Sequence, residues 1–107
     1  MNRPKIIQIT EKDICNGERG DFNKCAVALA LQRGFSSVDK VNVDQDSAEL
    51  YQSKKDDGYL VRGWIEFDGE IFDWIEDFDN EVEVQPFTIQ LRWIGDSYHA
   101  NGYFKTK

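Results

Sequence analysis

Hydrophobic and polar positions change period several times along this chain, and each change marks an element. Lys5-Ile6-Ile7-Gln8-Ile9 predicts a short strand. Thr10-Glu11-Lys12-Asp13 places a hydroxyl at an N-cap and an acid three residues on, close to a capping box, so a turn or two of helix should follow and stop at Gly17. Gly17 and Gly20 bracket a loop, after which Asp21 or Asn23 can cap a second helix. Cys25-Ala26-Val27-Ala28-Leu29-Ala30-Leu31 has the composition of a buried helix, with Gly34 placed to end it as the C′ residue. Val41 and Val43 alternate within residues 38–43 and suggest a strand, whereas 44–57 is polar, with a weak strand signal at Leu50-Tyr51.

The second half is more regular. Residues 58–67 read as a strand with Tyr59, Val61, Ile65 and Phe67 on one face and Leu60, Arg62, Trp64 and Glu66 on the other. Asp68-Gly69 turns the chain. Across 70–79, Ile71, Trp74, Ile75 and Phe78 fall at i, i+3, i+4 and i+7, the stripe of an amphipathic helix, and Glu70, Asp73, Glu76 and Asp77 occupy its other side. Residues 82–94 return to period two, with Phe87, Ile89, Leu91 and Trp93 predicted to face inward. Gly95-Asp96 suits a two-residue hairpin turn that would set Trp93 opposite Tyr98 and Arg92 opposite His99. Asn101-Gly102 suggests a second turn or bulge before Tyr103-Phe104. The order predicts one α+β domain over residues 1–107: a mainly antiparallel sheet with two or three helices packed on one side.

Composition sharpens this picture in one respect. Aromatic residues make up 13% of the 107, which argues for a packed core despite a net charge of −7. The charge is uneven: residues 1–40 carry a net +2 and residues 41–107 a net −9. Between Glu66 and Glu83 lie nine carboxylates and no Lys or Arg. Such a face repels nucleic acid and anionic membrane and attracts basic protein surfaces. There is no apolar run of membrane-spanning length and no signal-type amino terminus, and two cysteines make no disulfide framework, so a reduced cytoplasmic protein is expected.

Three kinds of chemistry merit a test. Carboxylates three and four residues apart on a helix lie about 5–6 Å apart at Cβ, broadly the separation of phosphates along a DNA strand, about 6–7 Å. Asp73, Glu76, Asp77, Asp79, Glu81 and Glu83 are therefore the candidate partner-binding residues, and the bland alternative is a solvated face. Cys25 near a helix start with His99 downstream has the order of a cysteine hydrolase, but the hairpin register turns His99 away from the core that would hold Cys25. Metal binding is poorly served: Asp77, Asp79 and Glu81 mimic the start of a calcium loop, yet Val82 and Thr88 stand where glycine and glutamate are needed. No cofactor is expected, and the glycines form no phosphate-binding motif. Trp64 alternates with the core face of its strand, which leaves it for a second layer or an interface, including self-association.

Two stretches resemble a group of small uncharacterised phage and prophage proteins. They are Ile9-Thr10-Glu11-Lys12-Asp13-Ile14 with Gly17 and Cys25 to Leu31, and Trp74-Ile75-Glu76-Asp77-Phe78-Asp79 followed by Val84-Gln85-Pro86-Phe87-Thr88. The likeness covers about half of the chain in patches, and Ala26 departs from the group's usual proline after the cysteine. It implies a phage origin and a host-cytoplasmic setting, and no activity comes with it. Together with the acidic run, it leads to the expectation of a non-enzymatic, anti-CRISPR-like protein. Its partner would be a basic host protein, such as a nucleic-acid-dependent defence or DNA-handling enzyme, engaged by nucleic-acid mimicry without direct contact to nucleic acid or membrane.

Overall fold

A computed structural model describes residues 5–35, 38–53 and 58–104. Strand β1 (Lys5–Ile9) passes through Thr10 into helix α1 (Glu11–Asn16). The Thr10 hydroxyl accepts the Asp13 N–H and the Asp13 carboxylate accepts the Thr10 N–H, the expected capping box. Gly17 ends α1 and lies against the start of helix α2 (Ala26–Gly34), where a Cβ would come within 2.5 Å of the Ala26 nitrogen. The α2 cap differs from both expected residues. Asp21 Oδ1 accepts the N–H groups of Asn23 and Lys24, a local turn that shifts the N-cap to Cys25. Gly34 is the last helical residue and Phe35 the C-cap, so the helix ends two positions later than a C′ glycine at 34 implies.

The strands β2 (Lys40–Val43), β3 (Ser47–Ser53), β4 (Tyr59–Phe67), β5 (Phe87–Ile94) and β6 (Ser97–Tyr103) join β1 in one sheet of order β1-β5-β6-β4-β3-β2. All neighbours are antiparallel except β4 and β6, which run parallel over Ile65–Phe67 and Tyr98–Ala100. Helix α3 (Gly69–Asp79) and β5 form the crossover that a parallel pair requires. The fold is thus α+β, with a mostly antiparallel sheet curled into a half-barrel and three helices. Helix α2 packs against both edge strands, β1 and β2, and so fills the open side of the curl.

The inward rows follow the register. Ile7, Ile89 and Gly102 form one, and Val43, Ala48, Ile65 and Tyr98 another. They meet Val27, Ala30 and Leu31 of α2 and Ile71, Trp74, Ile75 and Phe78 of α3 in one core. The α3 stripe is the predicted one. Three expectations change. β3 is a full strand rather than a weak signal, because β2 and β4 pair with its polar segments on either side; residues 54–57 and the side chains of Tyr59, Leu60, Val61 and Arg62 lie outside the described residues. Gly102 stays in β6 instead of turning, since Ile71 and Phe104 pack so close that a Cβ would sit about 3 Å from each. Trp93 is on the inward side but 41% exposed: β1 begins opposite Leu91, so beyond that point β5 has only β6 beside it among the described residues. The Trp93 indole rests edge-on against Tyr98.

Candidate functional site

The acidic surface is built on α3 and the six residues after it. Asp68 caps the helix, its Oδ1 accepting the Ile71 N–H at 2.9 Å and its Oδ2 accepting the Gly102 N–H at 3.0 Å. This carboxylate is therefore engaged in the fold. With Ile71, Trp74, Ile75 and Phe78 buried, Glu70, Asp73, Glu76 and Asp77 are exposed on the opposite side. Asp79 is half-buried, and its Oδ1 accepts the Gly20 N–H at 2.9 Å, tying the end of α3 to the loop before α2.

The helix ends in an unusual way. The Val82 N–H bonds to the Asp77 carbonyl and the Glu81 N–H to the Phe78 carbonyl, a Schellman motif whose left-handed residue is Glu81, at φ 64°. That position ordinarily takes glycine. The chain beyond is fastened by the Trp74 indole, which donates from Nε1 to the Gln85 carbonyl at 2.8 Å. Glu81 and Glu83 are thus exposed on an ordered segment. Among the described residues, no Lys or Arg forms an ion pair with any carboxylate from Glu70 to Glu83; the one side-chain ion pair joins Arg33 to Asp13. Arg19, near the end of α3, lies over the Phe78 ring 5.0 Å from its centroid. The last turn of α3 contains no basic residue, so its acids add to the negative end of the helix dipole.

Cys25 and His99 are not brought together. Cys25 is 4% exposed within the core, and burial is the chief cause that pushes its thiol up to about 11, aided by the charges of Asp79 and Asp21 against backbone hydrogen bonds that lower it. The dipole advantage expected at a helix start is therefore overridden by desolvation. His99 pairs in register with Arg92 on β5 and Glu66 on β4, while its neighbours Tyr98 and Ala100 face the core. It thus lies on the outer face, as the hairpin register implies. Among the described residues, no three His, Cys, Asp or Glu side chains converge on a possible metal position.

Sequence reasoning missed Phe22, which sits in a polar loop with no periodic neighbours. Its ring is 65% exposed, while its carbonyl accepts the Val43 N–H and holds the loop to the β2 edge. Phe22 and the half-exposed Trp64 line a groove of about 410 Å³ on the outer face of the sheet. No protein-family model matches the chain, and no solved structure gives a significant match.

Proposed function

We propose that the chain is a phage-type inhibitor whose acidic face covers a basic surface of a host protein, in place of the nucleic acid that surface would otherwise hold. The observation that carries this reading is the ordered array of Asp73, Glu76, Asp77, Glu81 and Glu83, outward-facing and without ion pairs among the described residues. Carboxylates on a rigid helix keep their spacing when a partner approaches, so little ordering entropy is lost on binding. Their mutual repulsion, and the placement of several beyond the middle of α3, disfavour the free fold slightly. A basic partner relieves both.

Two measurements test this. The immobilised full chain should retain a basic protein from host lysate at low salt and release it at high salt, and excess duplex DNA should compete. Asp73→Lys, Glu76→Lys and Asp77→Lys together should abolish retention with the fold intact. Retention that is unchanged in this variant, or a retained protein without a basic surface, would remove the reading. The hydrolase alternative predicts a reactive thiol. Cys25 is expected instead to resist iodoacetamide in the folded protein while Cys15, which is exposed, reacts. Rapid native alkylation of Cys25 would restore the enzyme hypothesis.

A further inference from the structure

We propose that the groove between Phe22 and Trp64 is a receptor for an arginine side chain of the partner protein. The inference rests on the partner surface being basic and adds a specific anchoring point to it. In register, Asn42 of β2, Glu49 of β3 and Trp64 of β4 stand side by side on the outer face. Directly paired residues of this kind have Cβ atoms about 4.5–5.5 Å apart. A planar cation lying on the Trp64 indole is therefore within reach of the Glu49 carboxylate.

That carboxylate is already oriented. The Tyr51 hydroxyl donates to Glu49 Oε1 at 2.7 Å, and Oε2 has no hydrogen-bond partner among the described residues. Asp44 adds a second negative charge at the groove, and its described lining contains no Lys or Arg. The Asn42 side chain is held by the Asn23 amide, which fixes the loop carrying Phe22 against β2. Neither the Phe22 ring nor the Trp64 ring stacks on another aromatic among the described residues, and Phe22 is 65% and Trp64 39% exposed.

The occupant follows from this chemistry. An aliphatic segment would bury Glu49 and Asp44 without compensation. A phosphate or nucleotide would be repelled by them. A cation is attracted both by the ring faces and by the carboxylates. Arginine is favoured over lysine because its flat guanidinium stacks on an indole while still donating to a carboxylate from its edge. About 410 Å³ is ample room for one long side chain. The groove is also continuous with the acidic helix: a neighbouring cavity of about 200 Å³ shares Phe22, Val43 and Asp44 with it and extends to Asp79. An arginine seated here would lie on a partner surface that continues toward the α3 acids.

The test is a titration of the ¹⁵N-labelled full chain with N-acetyl-arginine amide and with its neutral planar isostere, N-acetyl-citrulline amide. Arginine should move the Trp64 indole N–H and the Phe22 and Glu49 amides along one saturating curve, and citrulline should not. Trp64→Leu and Phe22→Ser, both at exposed positions, should each weaken arginine binding about fivefold, and Glu49→Gln about tenfold. Equal shifts with citrulline, shifts confined to the α3 acids, or an unchanged titration in Trp64→Leu and Phe22→Ser would overturn the proposal. N-acetyl-lysine amide binding as well as arginine would overturn the guanidinium assignment. The triple lysine variant of α3 separates the two readings. It should keep the arginine titration while losing the host protein, and loss of groove binding with host capture intact would remove the groove alone.

Discussion

Glu81 occupies a backbone conformation that ordinarily costs a residue with a Cβ about 1–2 kcal/mol, and it adds an acid at the negative end of a helix. Glu81→Gly should therefore stabilise the protein by about 1 kcal/mol, read as a higher denaturant midpoint with an unchanged slope. A loss of stability would mean that the Glu81 side chain makes a compensating contact. Asp13 behaves in the opposite sense. It is buried at 4% exposure between Thr10 and the two-pronged Arg33 guanidinium. Burial pushes its carboxyl up, but the hydrogen bonds from Arg33 and Thr10 and the charge of Arg33 outweigh that and hold it below its ordinary value of 3.8. A depressed carboxyl stabilises the fold fully above its unfolded value, and that share is lost as pH falls through the folded value. Denaturation followed from about pH 6 to pH 2 should show the loss below about pH 4. Asp13→Asn should flatten that region and cost about 2 kcal/mol at neutral pH, less than a fully buried pair because Arg33 is 55% exposed.

At the scale of elements, α3 keeps the residues that hold the fold apart from its exposed acids. Its stability comes from the Ile71, Trp74, Ile75 and Phe78 stripe and the Asp68 cap, none of which belongs to the acidic face. Asp73→Lys, Glu76→Lys and Asp77→Lys should thus raise the melting temperature at low ionic strength by about 3–6 °C, through a better match to the helix dipole at 76 and 77 and an attractive Glu70 neighbour for 73. The gain should shrink as salt is added. A fall in melting temperature would show the acids to be structural. The same helix was legible in the sequence, because four large apolar residues at helical spacing admit few other arrangements. β3 was not, since Ser47, Glu49, Gln52 and Ser53 carry no periodic apolar signal and the strand depends on hydrogen bonds from both neighbours. At the candidate site, local spacing was enough to place Asp73, Glu76 and Asp77 outward. It could not show that Asp79 accepts from Gly20, 59 residues away in sequence, nor that Phe22 and Trp64 meet across a groove. That Cys25 belongs to a buried helix was legible in composition; how strongly burial pushes its thiol up depended on how α2 fills the half-barrel.

The molecule as a whole consists of two antiparallel units, β1-β5-β6 and β2-β3-β4, stitched by the short parallel seam between β4 and β6. The chain passes between the units twice, through α1 and α2 after β1 and through α3 after β4, and Asp68 at the start of α3 holds both the first turn of that helix and the Gly102 N–H of β6. Fraying of α3 would release the cap, the seam and the Ile71–Gly102 packing together. Amide hydrogen exchange should accordingly find the middle turns of α3 as slow as β5 and β6, opening only with global unfolding. Early exchange in α3 would contradict this. The helix that carries the acidic face is in that sense the molecule's hinge pin, and a protease that needed it unwound would have to wait for the entire protein to come apart.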